Sequence, residues 1–348
     1  MKKIIIITFV ISFSFIVSLS SCKKGDSTPD PLPPSTTKDV YVAGYETTNN
    51  GTSYAKLWKN GTPINLTDGT KSARALSVYV SGNDVYVAGY ENSGINSNIS
   101  VARLWKNGIA TNLTDGKRGA SASGVVVSGN DVYVGGVELN VNGKAVIKLW
   151  KNGVLTNITD GTINCYASSL AVSGNDVYLG GSSTGGSIAT SWHNGTATLL
   201  SDRFIGDALS IFVSSGNVYA GGYTKLANGG IIANTWKNGV ATNITNGSTP
   251  AGVRGVFAVG ADLYACGEEV TAGVFVAKIW KNGVATALAD NTSNSSARAL
   301  YISGTDIYVT GLKKVNNVLE VATIWKNGIA TTLGDAKTTS IGLSVFVK

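Results

Sequence analysis

The residues of this sequence that could do chemistry are few, and most of them recur at fixed spacing. Histidine occurs once, at His193, so no His-based triad or His metal site can be assembled. Of the three cysteines, Cys165 and Cys266 fall in different repeat units with a whole unit between them. That separation argues against a disulfide, and both are expected as small buried apolar side chains. The more informative groups are aromatic, acidic and basic. Tyr45-Glu46, Tyr90-Glu91 and Val137-Glu138 each follow a repeated glycine, and Arg74, Tyr166, Asp207, Arg254 and Arg298 lie where loops enter the first strand of their units. Aromatic faces beside carboxylates and guanidinium groups suit a sugar or a peptide. The expected binding set is therefore Tyr45, Glu46, Arg74, Tyr90, Glu91, Glu138, Tyr166, Asp207, Arg254 and Arg298. The sequence assigns no catalytic residue, metal ligand or cofactor.

A second set repeats more strictly. Asp39, Asp84, Asp131, Asp176, Asp262 and Asp306 share one position, with Asn217 in the fifth unit. Lys59, Lys106, Lys151, Lys237, Lys281 and Lys326 share another, with His193 in the fourth. The expected arrangement is an Asp–Lys pair across neighbouring strands of each unit, in which His193 is a substituted turn lysine. The alternative is a basic rim for anionic lipid or polysaccharide. Asp68, Asp115, Asp160, Asp202, Asp290 and Asp335 end the last strand of their units and are expected to make local turn bonds.

These residues must be positioned by a repeat of about 45 residues. All seven tryptophans (Trp58, Trp105, Trp150, Trp192, Trp236, Trp280, Trp325) hold one position in it. Tyr41, Tyr86, Tyr133, Tyr178, Tyr219, Tyr264 and Tyr308 run in phase, each with a glycine three residues on, and Asn-Gly follows each tryptophan by two. The second unit reads as four strands: A at 75–80, B at 85–88, C at 101–105 and D at 110–113. Asn107-Gly108 is the hairpin signal between C and D, because both central turn residues need positive φ. Strands apolar on consecutive residues imply burial on both faces. The repeat therefore predicts an all-β, seven-bladed propeller of four-stranded antiparallel blades over 39–348, with almost no helix. The folded part opens on strand B and ends on strand A. Leu343 to Val347 should thus complete the first blade against Val40 to Ala43, with Leu343, Val345, Phe346 and Val347 buried between blades. This 1+3 closure resembles that of WD-repeat and kelch propellers. The tryptophan ending strand C is similar to the WD position but is followed by lysine, and Gly135-Gly136 is similar to the kelch diglycine.

Ahead of the repeats, Lys2 and Lys3 open an apolar stretch, Ile4 to Leu19, that is short and serine-dotted for a spanning helix. Leu19-Ser20-Ser21-Cys22 resembles the lipobox of bacterial lipoproteins. The resemblance implies a signal peptide over 1–21, lipids such as palmitate on Cys22 and attachment to a membrane. Lys23 after the cysteine, where an Asp favours inner-membrane retention in enterobacterial lipoproteins, implies the outer membrane. Residues 22–38 carry four of the six prolines and read as a disordered tether. At about 3.1 Å per residue it would reach roughly 50 Å from the bilayer.

Of the formal charge of +7, three units lie in that leader and tether, and no basic cluster is interleaved with aromatics. A nucleic-acid partner is not expected. The sequence reads as a cell-envelope lipoprotein with a monomeric body. Its expected role is a non-enzymatic binding or scaffold module for a glycan or protein ligand, using the face that carries the variable loops. The alternatives are a structural subunit of an envelope complex and a carboxylate-based glycosidase or polysaccharide lyase.

Overall fold

The computed structural model describes residues 38–94, 99–184, 188–201, 205–316 and 318–348. The leader, Cys22 and the tether up to residue 37 lie outside the described residues, as does Asp202, whereas Lys38, expected in the disordered tether, is held by the Ser303 carbonyl and Asp306 of the seventh blade. Among the described residues there are 28 strands and no helix, arranged as seven four-stranded antiparallel sheets. The second blade has strand A at Ala73–Ser81, B at Asp84–Asn92, C at Ser100–Lys106 and D at Ile109–Asn112. Strands A and B reach further toward the loop face than the sequence suggested. Tyr45, Glu46, Arg74, Tyr90, Glu91, Glu138, Tyr166, Asp207, Arg254 and Arg298 consequently sit on strands rather than on loops.

Each blade is shaped by the same few residues. The asparagine of every Asn-Gly turn has positive φ (51° at Asn60) and the glycine follows at 82° at Gly61, a turn whose twist matches the strands it joins. The turn asparagine also fastens strand B. Asn60 Nδ2 donates to Asp39 Oδ1 at 2.8 Å, and its Oδ1 accepts the Val40 amide at 2.8 Å. Lys59 lies 2.9 Å from Asp39 and over the Tyr41 ring. The expected Asp–Lys pairs recur at Lys106–Asp84, Lys151–Asp131, Lys281–Asp262 and Lys326–Asp306, with His193–Asp176 in the fourth blade. In the fifth blade Asn238 Nδ2 donates to Asn217 Oδ1 instead. The turn aspartates bond two residues on, as in Asp68 with the Thr70 amide at 2.9 Å.

The tryptophans join blades to one another. All seven are at most 2% exposed. Trp105 of the second blade packs with Tyr41, Ala55 and Leu57 of the first. Trp58 of the first blade packs with Tyr308, Ala322 and Leu333 of the seventh, so the same contact that links neighbours also closes the ring. Fully burying a side chain of this kind stabilises by about 1.5–3 kcal/mol or more relative to exposure.

Ser340–Val347 is strand A of the first blade and pairs Val347 with Val40, Phe346 with Tyr41 and Val345 with Val42. Val345 and Val347 are buried between blades, at 6% and 4% exposure. Leu343 and Phe346 are only half-buried: Phe346 packs between Tyr79 and Tyr301 of the two neighbouring blades, whereas Leu343, the residue inserted at the bulge, lines the channel cavity. Deleting 341–348 is expected to remove this interblade burial and expose the Val40–Thr47 edge. In thermal unfolding the truncated protein should melt well below the full chain and aggregate; melting at the full-length temperature would contradict closure by this strand.

Candidate binding site

The site begins with a defect that all seven blades share. Strand A carries one extra residue, a β-bulge, opposite the repeated glycine of strand B. The bulge drives a strand A carbonyl into the space where a strand B side chain would stand. A Cβ on Gly222 would lie 1.8 Å from the Asp207 carbonyl oxygen, and one on Gly267 1.9 Å from that of Gly252. The inserted residues are Leu343, Leu76, Ser123, Ser168, Leu209, Arg254 and Arg298, one from each blade in turn. Strand A is the edge of each sheet, so the amide two residues after the inserted position points away from strand B. In four blades the neighbour's serine accepts it: Val78 to Ser344 Oγ, Val125 to Ser77, Ile211 to Ser169 and Val256 to Ser210, all at 3.1–3.2 Å.

All seven inserted residues converge on one cavity of about 600 Å³ at the loop-face end of the channel, the size of a small-molecule site. Its wall is uneven. Two arginines from adjacent blades stand on one side, and Ser121, Ser123, Ser168 and Tyr166 on the other, with leucines between. Toward the turn face the channel is narrowed by contiguous rings. Phe212, Phe257, Tyr301, Phe346 and Tyr79, from five successive blades, stand with centroids 4.3–5.2 Å apart. Val126 and Ala171 hold the same register in the other two blades.

Charge is concentrated on the arginine side. Arg254 Nε and Nη2 both donate to Glu268 Oε1, at 2.9 and 2.6 Å, and Glu268 Oε2 accepts Ser296 Oγ at 2.6 Å. Glu268 is 6% exposed and committed to those partners. Asp207 lines an adjoining cavity of about 410 Å³ with Tyr223 and Arg254. Its buried Oδ1 has no hydrogen-bond partner, and desolvation pushes its carboxyl up to about 6 against the pull of Arg254. Burial likewise raises Tyr223. Arg74 stacks on the Tyr45 ring at 4.2 Å, and burial raises the Tyr45 hydroxyl.

The structure thus brings Tyr166, Asp207, Arg254 and Arg298 to the cavity and its side pocket. Tyr45, Arg74 and Tyr90 line neither. Glu46, Glu91 and Glu138 are engaged within their own blades, each in an ion pair with a strand C cation: Lys56, Arg103 and Lys148. Glu269–Lys278 is the same pair in the sixth blade. Glu268, Ser296, Glu320 and the inserted leucines and serines were not singled out from the sequence. Register could have found Glu268, since it follows Gly267 where Tyr45 follows Gly44. His193 stacks on Tyr178 on the turn face, away from this mouth. Cys165 and Cys266 are buried free thiols, and burial raises both pKa values. Among the described residues no three His, Cys, Asp or Glu side chains cluster as a metal site.

Fold and site together define a seven-bladed β-propeller with a ligand-sized cavity at one end of its channel. No protein-family model matches the chain, and no curated protein matches it by sequence. Among solved structures 235 chains match, so the architecture is widely shared and selects no activity by itself. One is a puromycin-hydrolyzing peptidase of Mycobacterium tuberculosis, 12% identical, with a TM-score of 0.57 over 85% of this chain and 52% of that one. The chain therefore spans about half the length of that peptidase, and the likeness is one of fold.

Asp207 gives the site a pH signature. Its folded pKa of about 6 lies above the ordinary 3.8, so ionising it costs stability above pH 6, and the cost disappears as pH falls below 3.8. Asp207→Asn is expected to be more stable than wild type by on the order of 2 kcal/mol near pH 8 and equal to it near pH 3.5. Melting curves across that range check this; a difference independent of pH would contradict it.

Proposed function

We propose that this protein is a lipid-anchored binding module of the cell envelope, held through Cys22 to the outer membrane, that takes a glycan in the loop-face cavity without transforming it. The observation that carries the reading is the convergence of all seven inserted residues on one cavity of about 600 Å³. That cavity combines hydroxyls, guanidinium groups and apolar surface, the mixture that suits a polyhydroxylated ligand. The absence of turnover is supported by the state of the acids. Glu268 is tied to Arg254 and Ser296 and so is not free to pair with Asp207 as the second carboxylate that glycoside hydrolysis uses, and Glu320 lines neither the cavity nor the Asp207 side pocket. The turn face offers less, because its lysines are mostly paired to aspartates.

A glycan array probed with full-length protein tests this. Tyr166→Ala is expected to reduce binding at least tenfold, whereas Lys326→Gln on the turn face should leave it unchanged, and the bound glycans should be recovered intact. Loss of binding in Lys326→Gln alone, or release of shortened glycans, would contradict the proposal.

A further inference from the structure

The cavity holds a cation that the protein leaves without a partner. Arg298 is half-buried, its Nε is enclosed without an acceptor, and it forms no ion pair among the described residues. Glu268 and Glu320 both act on it through space, but Glu268 is committed elsewhere and Glu320 bonds to neither arginine. Arg254, at the same bulge position on the adjacent blade, faces the same cavity. Two guanidinium groups side by side in a partly desolvated mouth repel, and burial together with that repulsion lowers the proton affinity of Arg298. An anion with two coplanar oxygens would relieve both costs, since the guanidinium fork matches a carboxylate. Across the cavity the wall is neutral. The Ser121 and Ser168 hydroxyls make no hydrogen bond among the described residues, and Tyr166 is 41% exposed.

A ligand fitting both walls carries a carboxylate at one end, hydroxyls at the other and a C–H face that can lie on an aromatic ring. We infer that the cavity binds an acidic sugar, a uronate residue of a glycan, with its carboxylate between Arg254 and Arg298 and its hydroxyls toward Ser121 and Ser168. This rests on the glycan-binding reading and narrows it. Phosphate would satisfy the arginines but leave the serine wall and Tyr166 unused.

Titration calorimetry of the full-length protein tests it with uronate oligomers (galacturonate and glucuronate), their methyl esters, the matching neutral oligomers and inorganic phosphate. At least one acid oligomer should bind at least tenfold more tightly than its ester and than phosphate. Its affinity should fall with salt. Arg298→Gln should abolish the preference for acid over ester while melting no lower than wild type, because it removes an unpartnered charge. Esters and neutral oligomers binding as tightly as acids would overturn the uronate inference and leave the glycan module standing. Phosphate matching the best uronate would also overturn it. Failure of every sugar, acid and neutral, would remove both readings together.

Discussion

The contact on which the rest of the molecule depends is the approach of a bulged strand A carbonyl to a strand B glycine. No side chain fits there: the carbonyl of residue 74, 121, 166, 207, 252, 296 or 341 occupies the Cβ position of its glycine at about 2 Å. The glycine permits the bulge, and the bulge adds a residue that changes the parity of strand A partway along its length. Residues on the turn-face side of it present rings to the channel. Residues at the bulge present Leu, Ser or Arg. One backbone irregularity, repeated sevenfold, thus produces both the aromatic collar and the cavity above it.

That irregularity is tolerable because the blades support one another. An outward-facing amide of strand A, two residues beyond the bulge, is held in four blades by a serine of the neighbouring blade, an interblade bond beside the irregularity. Around it, each tryptophan buries its indole against the preceding blade, and Trp58 does so against the seventh. The scaffold repeats while the inserted residues do not. Leucine and serine fill five blades, and arginine occupies two adjacent ones, which gives a symmetric ring an asymmetric mouth. Arg254 is neutralised by Glu268; Arg298 is left exposed to whatever enters.

The fold was legible because its determinants are local. Asn-Gly fixes each C–D turn, the tryptophan marks each interblade contact, and counting them fixes the blade number. Closure was legible from the strand that begins the folded part and the one that ends it. The side chains of the closing strand were less so. Leu343 was expected buried between blades, yet the bulge turns it to the channel cavity, and Phe346 is only half-buried between its neighbours' rings. The same blind spot affected the site. Arg254 and Arg298 were recognised by type, but their convergence depends on the bulge, which no residue announces except the glycine across the strand. Glu46, Glu91 and Glu138 resembled free acids after that glycine; cations on strand C hold them, and those cations are contiguous with Glu only in three dimensions.

The account is tested most directly by two alanines on opposite sides of one bulge. Gly267 and Gly252 lie on neighbouring strands of the sixth blade and differ in what a Cβ would meet. At Gly267 it meets the Gly252 carbonyl oxygen at 1.9 Å; at Gly252 the nearest atom is Tyr223 Cβ at 4.0 Å. Thermal and denaturant unfolding of Gly267→Ala should show a loss of at least about 1–3 kcal/mol, the cost of forced overpacking. Gly252→Ala should stay within roughly 0.5 kcal/mol of wild type. Equal stability of the two variants would mean that the strand B glycines do not govern the bulge, and that the channel is shaped by some other constraint.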